Sequence, residues 1–339
     1  MQPKKIIYAA AASLFSILIA VIAIEIVGIN FLFTGKRLYF VNDVDHRVKG
    51  GTRPDVNSDG LRLAVEATEF RDEDVNIIFL GDSFIWGDGL TRDEAIPFLL
   101  QEKARELHPE KRINIANFGW VSSSPLLSYR QLKEIGRKYK PDIVLLAIDM
   151  TDIHDDMKYL RLLERDGLYR LLSTVPITFW ISRKVFSVVG PLNFFYESLY
   201  GYPVNKYFIS SRPLEETLPY FSTMRSNIDS IHSYSVNELD ARFILFVFPR
   251  SYQYSDREAP NSWEQRLYEN LGPYAHEPFK YFDQMRDEVD YPIHSLLSDF
   301  ETTTVFPTCF DDDPHWNQDG VQVALDAIVR HCLEDGCFD

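Results

Sequence analysis

The stretch IIFLGDSFIWGDG, residues 77–89, joins a short apolar run to a serine and then becomes rich in glycine. The run begins two residues earlier, and Val75–Leu80 has the length and composition of a buried β-strand. In an open parallel sheet, binding and catalytic groups collect at the carboxyl ends of the strands. The stretch therefore predicts that Ser83 lies at the mouth of such a sheet.

Further strands and helices alternate along the rest of the chain. Apolar runs predict three more strands, and apolar residues at helical spacing predict helices between and after them. The strands are RINIANFG (residues 112–119), PDIVLLAI (Pro141–Ile148) and RFILFVFP (Arg242–Pro249), and the helices are marked by Ile96–Leu107, Leu132–Tyr139 and Val321–Cys332. This alternation predicts an α/β fold, a flavodoxin-like three-layer α/β/α arrangement around a mostly parallel sheet.

The overall composition limits the classes of function. The 339 residues are 45% hydrophobic and 25% charged, which is typical of a globular protein with a core. The formal net charge of −15 argues against a nucleic-acid partner, because phosphate binding needs clustered Lys and Arg. Cys332 and Cys337 are close enough to form a disulfide, but the odd count left by Cys309 makes this indication weak.

The amino-terminal stretch Ile6–Ile24 carries no charged residue. As a helix it would span roughly the hydrocarbon thickness of a bilayer. A cleaved signal peptide or a buried core helix are the alternatives, but the run is long and its alanines lie at its start. We therefore expect a signal-anchor transmembrane helix within residues 1–33, a linker over residues 34–74 and one domain over residues 75–339, with an aromatic-rich insert at about residues 157–235.

The location of the domain is predicted less directly. Lysines and arginines lie on both sides of the apolar run, so their distribution does not determine the topology. A single anchor with a short head usually exports the chain that follows it. We expect a single-pass cell-membrane protein with an extracytoplasmic domain, periplasmic in a Gram-negative cell. The insert could be a lid, a membrane-surface helix or additional core.

Loops at the predicted strand ends supply the groups for acyl transfer through a serine. Ser83 would be the nucleophile, and His315 would be the base that removes its proton. Asp312 and Asp313 stand three and two residues before His315, so either could orient the imidazole. The backbone N–H groups of Ser83 and Gly119 would stabilise the oxyanion.

Three blocks occur in the order found in the SGNH or GDSL hydrolases, which this sequence resembles: FLGDSF, NFG and DDPHWNQDG. The lead-in VNSDGLR is also similar, and the resemblance covers roughly residues 55–335 without the aromatic insert. The resemblance implies an esterase that needs no cofactor, and it favours Asp312 over Asp313 because three-residue spacing is the family pattern. It also implies an acylated small molecule or cell-envelope glycan as substrate, with O-acetyl as the first candidate acyl group.

The third block departs from the family pattern. It reads IDMTDI, so Thr151 stands where the family has an asparagine whose amide donates to the oxyanion. A threonine hydroxyl is a shorter donor, and losing one oxyanion donor can cost ~100-fold in rate. Three functions stay open from the sequence: an esterase, an O-acyltransferase that passes the acyl group to a sugar, and a non-catalytic envelope protein with this fold.

Residues next to the catalytic blocks are candidates for contacts with the substrate. We expect Asp82, Trp86, Trp120 and Trp316 to contribute to a subsite, although Trp316 could instead pack under the last helix. Two acidic runs, residues 149–156 and 311–313, contain possible metal ligands. Solvated loop carboxylates are far commoner than metal sites, so we predict no metal.

Overall fold

The computed structural model describes residues 3–28, 47, 48, 50, 52–164 and 175–338. The chain divides into two compact units, residues 1–46 with 158–204 and residues 47–157 with 205–339. This division differs from the predicted domain boundaries, because the second unit begins at residue 47 and resumes at residue 205. Several parts of the predicted segments lie outside the described residues: residues 29–33 of the predicted anchor, residues 34–46, 49 and 51 of the predicted linker, and residues 165–174 of the predicted insert.

Five parallel strands form one sheet in the second unit, in the order β2-β1-β3-β4-β5. The strands are β1 (Val75–Gly81), β2 (Ile113–Gly119), β3 (Ile143–Ile148), β4 (Arg242–Val247) and β5 (Ile293–Ser295). This order is that of flavodoxin-like doubly wound sheets. The predicted α/β fold with a parallel sheet is therefore confirmed, and β5, with only three residues, is the strand that the sequence pattern missed.

Twelve α-helices lie within the described ranges of the chain. They are α1 (Pro3–Val27), α2 (Ser83–Trp86), α3 (Ile96–Leu107), α4 (Pro125–Ile135), α5 (Asp152–Glu164), α6 (Pro176–Val188), α7 (Asn193–Tyr200), α8 (Leu214–Leu239), α9 (Ser251–Tyr254), α10 (Glu277–Arg286), α11 (Leu297–Thr302) and α12 (Gln318–Glu334). Short 3-10 turns lie at Ala67–Glu69, Arg92–Glu94, Gly136–Tyr139, Gly190–Leu192, Phe208–Ser210 and Trp263–Leu267.

Two hydrophobic layers cover the two faces of the sheet, because successive strand residues point to opposite sides. Ile78, Leu80 and their neighbours on one face pack with residues of α4, α8 and α10. Ile77, Phe79 and their neighbours on the other face pack with residues of α3 and α12. Strands buried on both faces read as continuous apolar runs, which is why four of them were visible in the sequence.

The amino-terminal segment is helical, as α1 shows. Among the described residues, however, we find no helix with the length and apolar character needed to cross a membrane. The predicted transmembrane helix is therefore not supported, and the predicted location of the domain stays a prediction.

Within the first unit, the carboxylate of Glu25 near the end of α1 accepts hydrogen bonds from the start of α6. The donors are the backbone N–H groups of Ile177 and Thr178, at 3.0 and 2.7 Å. These N–H groups have no partner inside their own helix, and an anion there is stabilised by the helix dipole. The bond joins the two helices within that unit.

The three cysteines are free and buried in the second unit. The weak indication of a disulfide between Cys332 and Cys337 is thus not supported.

Candidate active site

The nucleophile predicted from the sequence lies at the sharp turn between β1 and α2. Asp82 caps the short helix, its Oδ1 accepting from the N–H of Phe84 at 2.9 Å, and Ser83 is the first helical residue. A Cβ on Gly81 would lie 2.5 Å from the Ile85 side chain, so only glycine allows the helix to turn back this closely. The turn holds Ser83 at the carboxyl end of the central strands.

The other end of α2 is held by Arg62, a buried arginine outside the three catalytic blocks. Arg62 donates to the carbonyl oxygens of Trp86, Gly87 and Leu90, at 2.9, 2.7 and 2.6 Å, and its Nε lies 3.2 Å from Asp55. The lead-in VNSDGLR ends in this residue, so its resemblance to the family was a signal for it. Arg62 fixes the helix that carries the nucleophile.

Ser83 and His315, 232 residues apart in the sequence, lie side by side. The distance from Ser83 Oγ to His315 Nε2 is 2.7 Å. The opposite ring nitrogen, Nδ1, is hydrogen-bonded to Oδ1 of Asp313, which also accepts from the His315 backbone N–H at 2.9 Å. With the Nδ1 proton held by Asp313, Nε2 is the nitrogen that can accept the proton of the Ser83 hydroxyl.

The acid of this arrangement is Asp313, which corrects the preference for Asp312. Asp312 is exposed, whereas two-residue spacing lets one oxygen of Asp313 reach both the backbone and the ring of His315. Burial raises the pKa of Asp313, but its hydrogen bonds to His315 and the charge of that imidazole outweigh burial and lower it to about 2. Asp313 is therefore ionised at neutral pH.

The loop that carries His315 is held by buried polar groups. The carboxylate of Glu258 accepts from the backbone N–H of Thr308 at 2.9 Å, from its hydroxyl at 2.8 Å and from the N–H of Cys309 at 3.0 Å. Asn317 donates to the carbonyl of Cys309 at 2.9 Å and caps α12 by accepting from the N–H of Gly320 at 3.0 Å. Asn317 thus ties the loop that carries His315 to the start of the last helix.

The predicted oxyanion donors differ in what they already contact. The N–H of Ser83 begins α2 and donates to no acceptor among the described residues. The N–H of Gly119 donates to Oδ1 of Asn117 at 2.9 Å. Of the two backbone N–H groups, that of Ser83 is therefore available to an oxyanion, whereas that of Gly119 is already bonded to Asn117 in the same strand. Gly119 still has to be glycine, because a Cβ there would lie 2.2 Å from the backbone nitrogen of Trp86.

Thr151, the third predicted donor, faces another acceptor. Its hydroxyl donates to Oδ1 of Asp149 at 2.7 Å, and its backbone N–H donates to the same oxygen. A hydroxyl has a single proton, so the bond to Asp149 removes Thr151 from the oxyanion site. The geometry therefore corrects the assignment of Thr151 as a donor.

Asp149 belongs to a buried acidic cluster at the carboxyl ends of β1 and β3, together with Asp82 and Asp152. Their oxygens lie within 4.8 Å of one another. The buried guanidinium of Arg250, which follows β4, donates to Asp149 at 2.7 Å and lies 3.4 Å from Glu264. Arg250 therefore brings a positive charge from the protein itself to this cluster, at Asp149.

The members of the cluster hold their protons differently. Burial raises the pKa of Asp149, but the charge of Arg250 and the bonds from Thr151 outweigh it and bring the pKa below the usual value. Burial, and then the charge of Asp149, raises the pKa of Asp82 to about 7. Burial, and then the charges of Asp82 and Asp149, raise the pKa of Asp152 well above its usual value. The cluster therefore carries less negative charge at neutral pH than its composition indicates.

Several solved structures are similar to the chain, at low sequence identity. A psychrotrophic esterase from Pseudoalteromonas is 15% identical with a TM-score of 0.42, covering 77% of this chain and 98% of that protein. An acetyl-xylooligosaccharide esterase from Geobacillus is 15% identical with a TM-score of 0.43, over 77% and 95% of the two chains. A member of the lipolytic protein G-D-S-L family from Veillonella parvula is 12% identical with a TM-score of 0.41, over 77% and 97%.

Esterases and lipolytic proteins of the G-D-S-L type are thus among the structures to which this chain is similar. No family model matches the sequence, and no curated protein matches it.

The residues predicted to bind substrate lie in different surroundings. Trp316 is 1% exposed, stacked on Phe300 at 4.6 Å and packed against Phe84 at 4.5 Å and Phe248 at 4.9 Å. The ring also belongs to the hydrophobic layer that contains Val321 and Ala324 of α12, so Trp316 packs under the last helix, as the alternative had it. Buried on all sides, the ring has no exposed face for a substrate.

Trp86 and Trp120 are largely buried beneath arginine side chains. The guanidinium carbon of Arg62 lies 5.5 Å from the Trp86 ring, and that of Arg47 lies 5.5 Å from the Trp120 ring. Asp82 is also buried, but its Oδ2 lies 3.3 Å from the Ser83 hydroxyl, so it contacts the nucleophile directly. A role of these three residues in substrate binding stays a prediction.

Proposed function

We propose that the chain is a serine-dependent esterase that hydrolyses acyl esters. The observation that supports this proposal above all others is the 2.7 Å distance between Ser83 Oγ and His315 Nε2, with Asp313 bonded to the other ring nitrogen. A hydroxyl, an imidazole and a carboxylate in this order recur in serine hydrolases of unrelated folds.

In the acylation step, Ser83 Oγ attacks the carbonyl carbon of the ester while its proton passes to His315 Nε2. Ionised Asp313 stabilises the imidazolium that results. The negative charge on the former carbonyl oxygen is stabilised by the N–H of Ser83, at the start of α2. The imidazolium then gives its proton to the departing alcohol oxygen, and Ser83 is left as an acyl ester.

In the deacylation step, His315 removes a proton from water, and the resulting hydroxide attacks the carbonyl carbon of the acyl ester. The tetrahedral intermediate collapses, the proton returns from His315 to Ser83 Oγ, and the carboxylic acid leaves. As substrate we propose O-acyl esters, with an acetyl group on a cell-envelope glycan as the first candidate. This choice follows the sequence resemblance to SGNH hydrolases.

The proposal is tested by comparing the wild-type chain with Ser83→Ala on a chromogenic acetyl ester. Removal of the nucleophile is expected to lower kcat by roughly 10⁴-fold or more. Ser222→Ala is the matched control, because Ser222 is exposed on α8 and its hydroxyl donates to the Pro219 carbonyl of the same helix. An organophosphonate is expected to label Ser83 and to leave the Ser83→Ala variant unlabelled.

Equal rates for the wild-type chain and Ser83→Ala would refute the proposal. That outcome would favour the non-catalytic envelope protein instead. Labelling of a serine other than Ser83 would place the nucleophile elsewhere and refute the assignment of His315 as its base.

A further inference from the structure

In the first unit, a set of tyrosines is buried while two phenylalanines, which are less polar, are exposed. Tyr196, Tyr200 and Tyr202 are buried, at 4%, 0% and 2% exposure, whereas Phe194 and Phe195 are 71% and 54% exposed. The ring of Tyr196 lies 4.5 Å from that of Tyr200 and 5.7 Å from that of Tyr202, so the tyrosines form a cluster. Tyrosine, with its hydroxyl, tolerates water better than phenylalanine, so an aqueous surface favours the opposite arrangement.

The exposed phenylalanines lie in the first turn of α7. We call residues 188–195 the elbow: they run from the last residue of α6 through the connecting 3-10 turn to the start of α7. Val188 and Val189 in the elbow are also exposed, at 79% and 43%. The sequence from Val185 to Tyr196 contains no charged residue. Single exposed apolar residues are ordinary, but a contiguous set of them marks an interaction surface.

Two basic residues lie four and five positions before the start of the elbow. Arg183 and Lys184 are near the end of α6, and Lys184 is exposed. Cations beside exposed apolar side chains are the combination by which segments bind anionic lipid headgroups. The helix α1, in the same unit, exposes a further large set of apolar side chains: Leu14, Phe15, Ile17, Leu18, Ile19, Ile22, Ile24, Ile26 and Val27.

We infer that the elbow inserts into the boundary between headgroups and acyl chains of an anionic lipid bilayer. Val188, Phe194 and Phe195 enter the apolar region, and the basic pair meets the phosphates. The tyrosine cluster packs beneath the elbow and holds it in shape. A second copy of the chain fits this surface less well, because a two-fold contact centred on the elbow brings two Arg183–Lys184 pairs together.

The test places an environment-sensitive fluorophore on a single introduced cysteine in the full chain. The three native cysteines are buried, at 1% exposure or less, so they compete little for the label. Phe194→Cys reports on the elbow, and Trp263→Cys is the matched control, because Trp263 is an exposed aromatic residue of the second unit, at 61%. The vesicles contain phosphatidylglycerol and phosphatidylcholine, and nitroxide-labelled lipids serve as quenchers.

The label at residue 194 is expected to shift to the blue and to be quenched by acyl-chain nitroxides, while the label at residue 263 responds to neither. If vesicle-bound protein leaves the label at 194 as accessible to aqueous iodide as the label at 263, the inference is overturned. If the label at residue 194 shifts to the blue as the protein concentration rises in the absence of lipid, the elbow binds a second copy of the chain. That result would also overturn the inference. The same response in pure phosphatidylcholine vesicles would contradict the role of the basic pair. None of these readouts depends on the activity of Ser83.

Discussion

Asp313 and a buried cluster of three aspartates both lie near the Ser83–His315 pair. Their burial and their pKa values differ. Asp313 lies in a half-exposed loop, accepts two hydrogen bonds from His315 and has a pKa of about 2. Asp82, Asp149 and Asp152 are buried together, and two of them have raised pKa values. At neutral pH the buried cluster therefore carries less negative charge per carboxyl group than Asp313 does. In the proposed mechanism, Asp313, a single acid bonded to His315, supplies the negative charge that stabilises the imidazolium.

The buried cluster has a different part in the site. Arg250 neutralises Asp149, Asp149 holds Thr151, and Asp82 both caps α2 and contacts the Ser83 hydroxyl. These bonds fix the ends of β1 and β3, where the nucleophile turns out of the sheet. We therefore expect changes in the loop to affect rate and changes in the cluster to affect stability.

Among changes to these carboxylates and their partners, the largest effect is expected from Asp313→Asn. The amide keeps the shape of the side chain but removes the charge and can favour the wrong imidazole tautomer, so kcat should fall by roughly 10³- to 10⁴-fold. Asp312→Asn, one residue away and exposed, is the matched control and should leave kcat nearly unchanged. Steady-state kinetics on an acetyl ester measures both. A larger loss of kcat for Asp312→Asn than for Asp313→Asn would identify Asp312, at the family's three-residue spacing, as the acid and would contradict the role given to Asp313.

Arg250→Met should cost the most stability. It leaves the buried carboxylate of Asp149 without its cation, and breaking a buried ion pair typically costs about 3–5 kcal/mol of the free energy of unfolding. Urea denaturation measures the change. The exposed Arg257→Met serves as control, and adding Asp149→Asn to Arg250→Met should recover part of the loss. A loss below about 1 kcal/mol, the range of surface pairs, would contradict the role given to Arg250.

Thr151→Val separates stability from catalysis at one position. Valine keeps the branched shape and removes the hydroxyl that Asp149 accepts, so we expect a loss of about 1–2 kcal/mol in the free energy of unfolding. Because that hydroxyl is not free to bind the oxyanion, kcat should change less than about tenfold. Denaturation and kinetics on the same preparation give both values. A fall in kcat of roughly 100-fold would instead identify Thr151 as an oxyanion donor.

The smallest effect concerns the proton on Asp82. The folded state holds this proton up to a pKa of about 7, whereas an unfolded chain loses it at about pH 4. Lowering the pH from 8 to 6 should therefore stabilise the fold through Asp82, by about 1 kcal/mol or roughly 2–4 °C in Tm. Asp82→Asn, which cannot titrate, should show a smaller rise over this interval. An identical rise in both proteins would assign it to other buried acids, such as Asp152.

The sequence predicted four of the five strands and the two distant residues, Ser83 and His315, that the fold brings together. Buried parallel strands read as apolar runs, and their carboxyl ends indicate where a site lies. It did not separate Asp312 from Asp313, since both are within reach of His315 and the loop conformation decides between them. Arg250 and Arg62 were missed because neither lies in a catalytic block, and long-range burial gives each its role. The bond from Gly119 to Asn117 depends on a side-chain orientation that no spacing pattern encodes.

Arg62 also determines how much of the polypeptide the catalytic region requires. A shortened protein that started at Val75 would keep every strand of the sheet, yet three carbonyl oxygens around the end of α2 would lose their donor. The serine would then sit on a helix free to fray. The minimal working fragment therefore has to start upstream of Asp55, about twenty residues before the first strand.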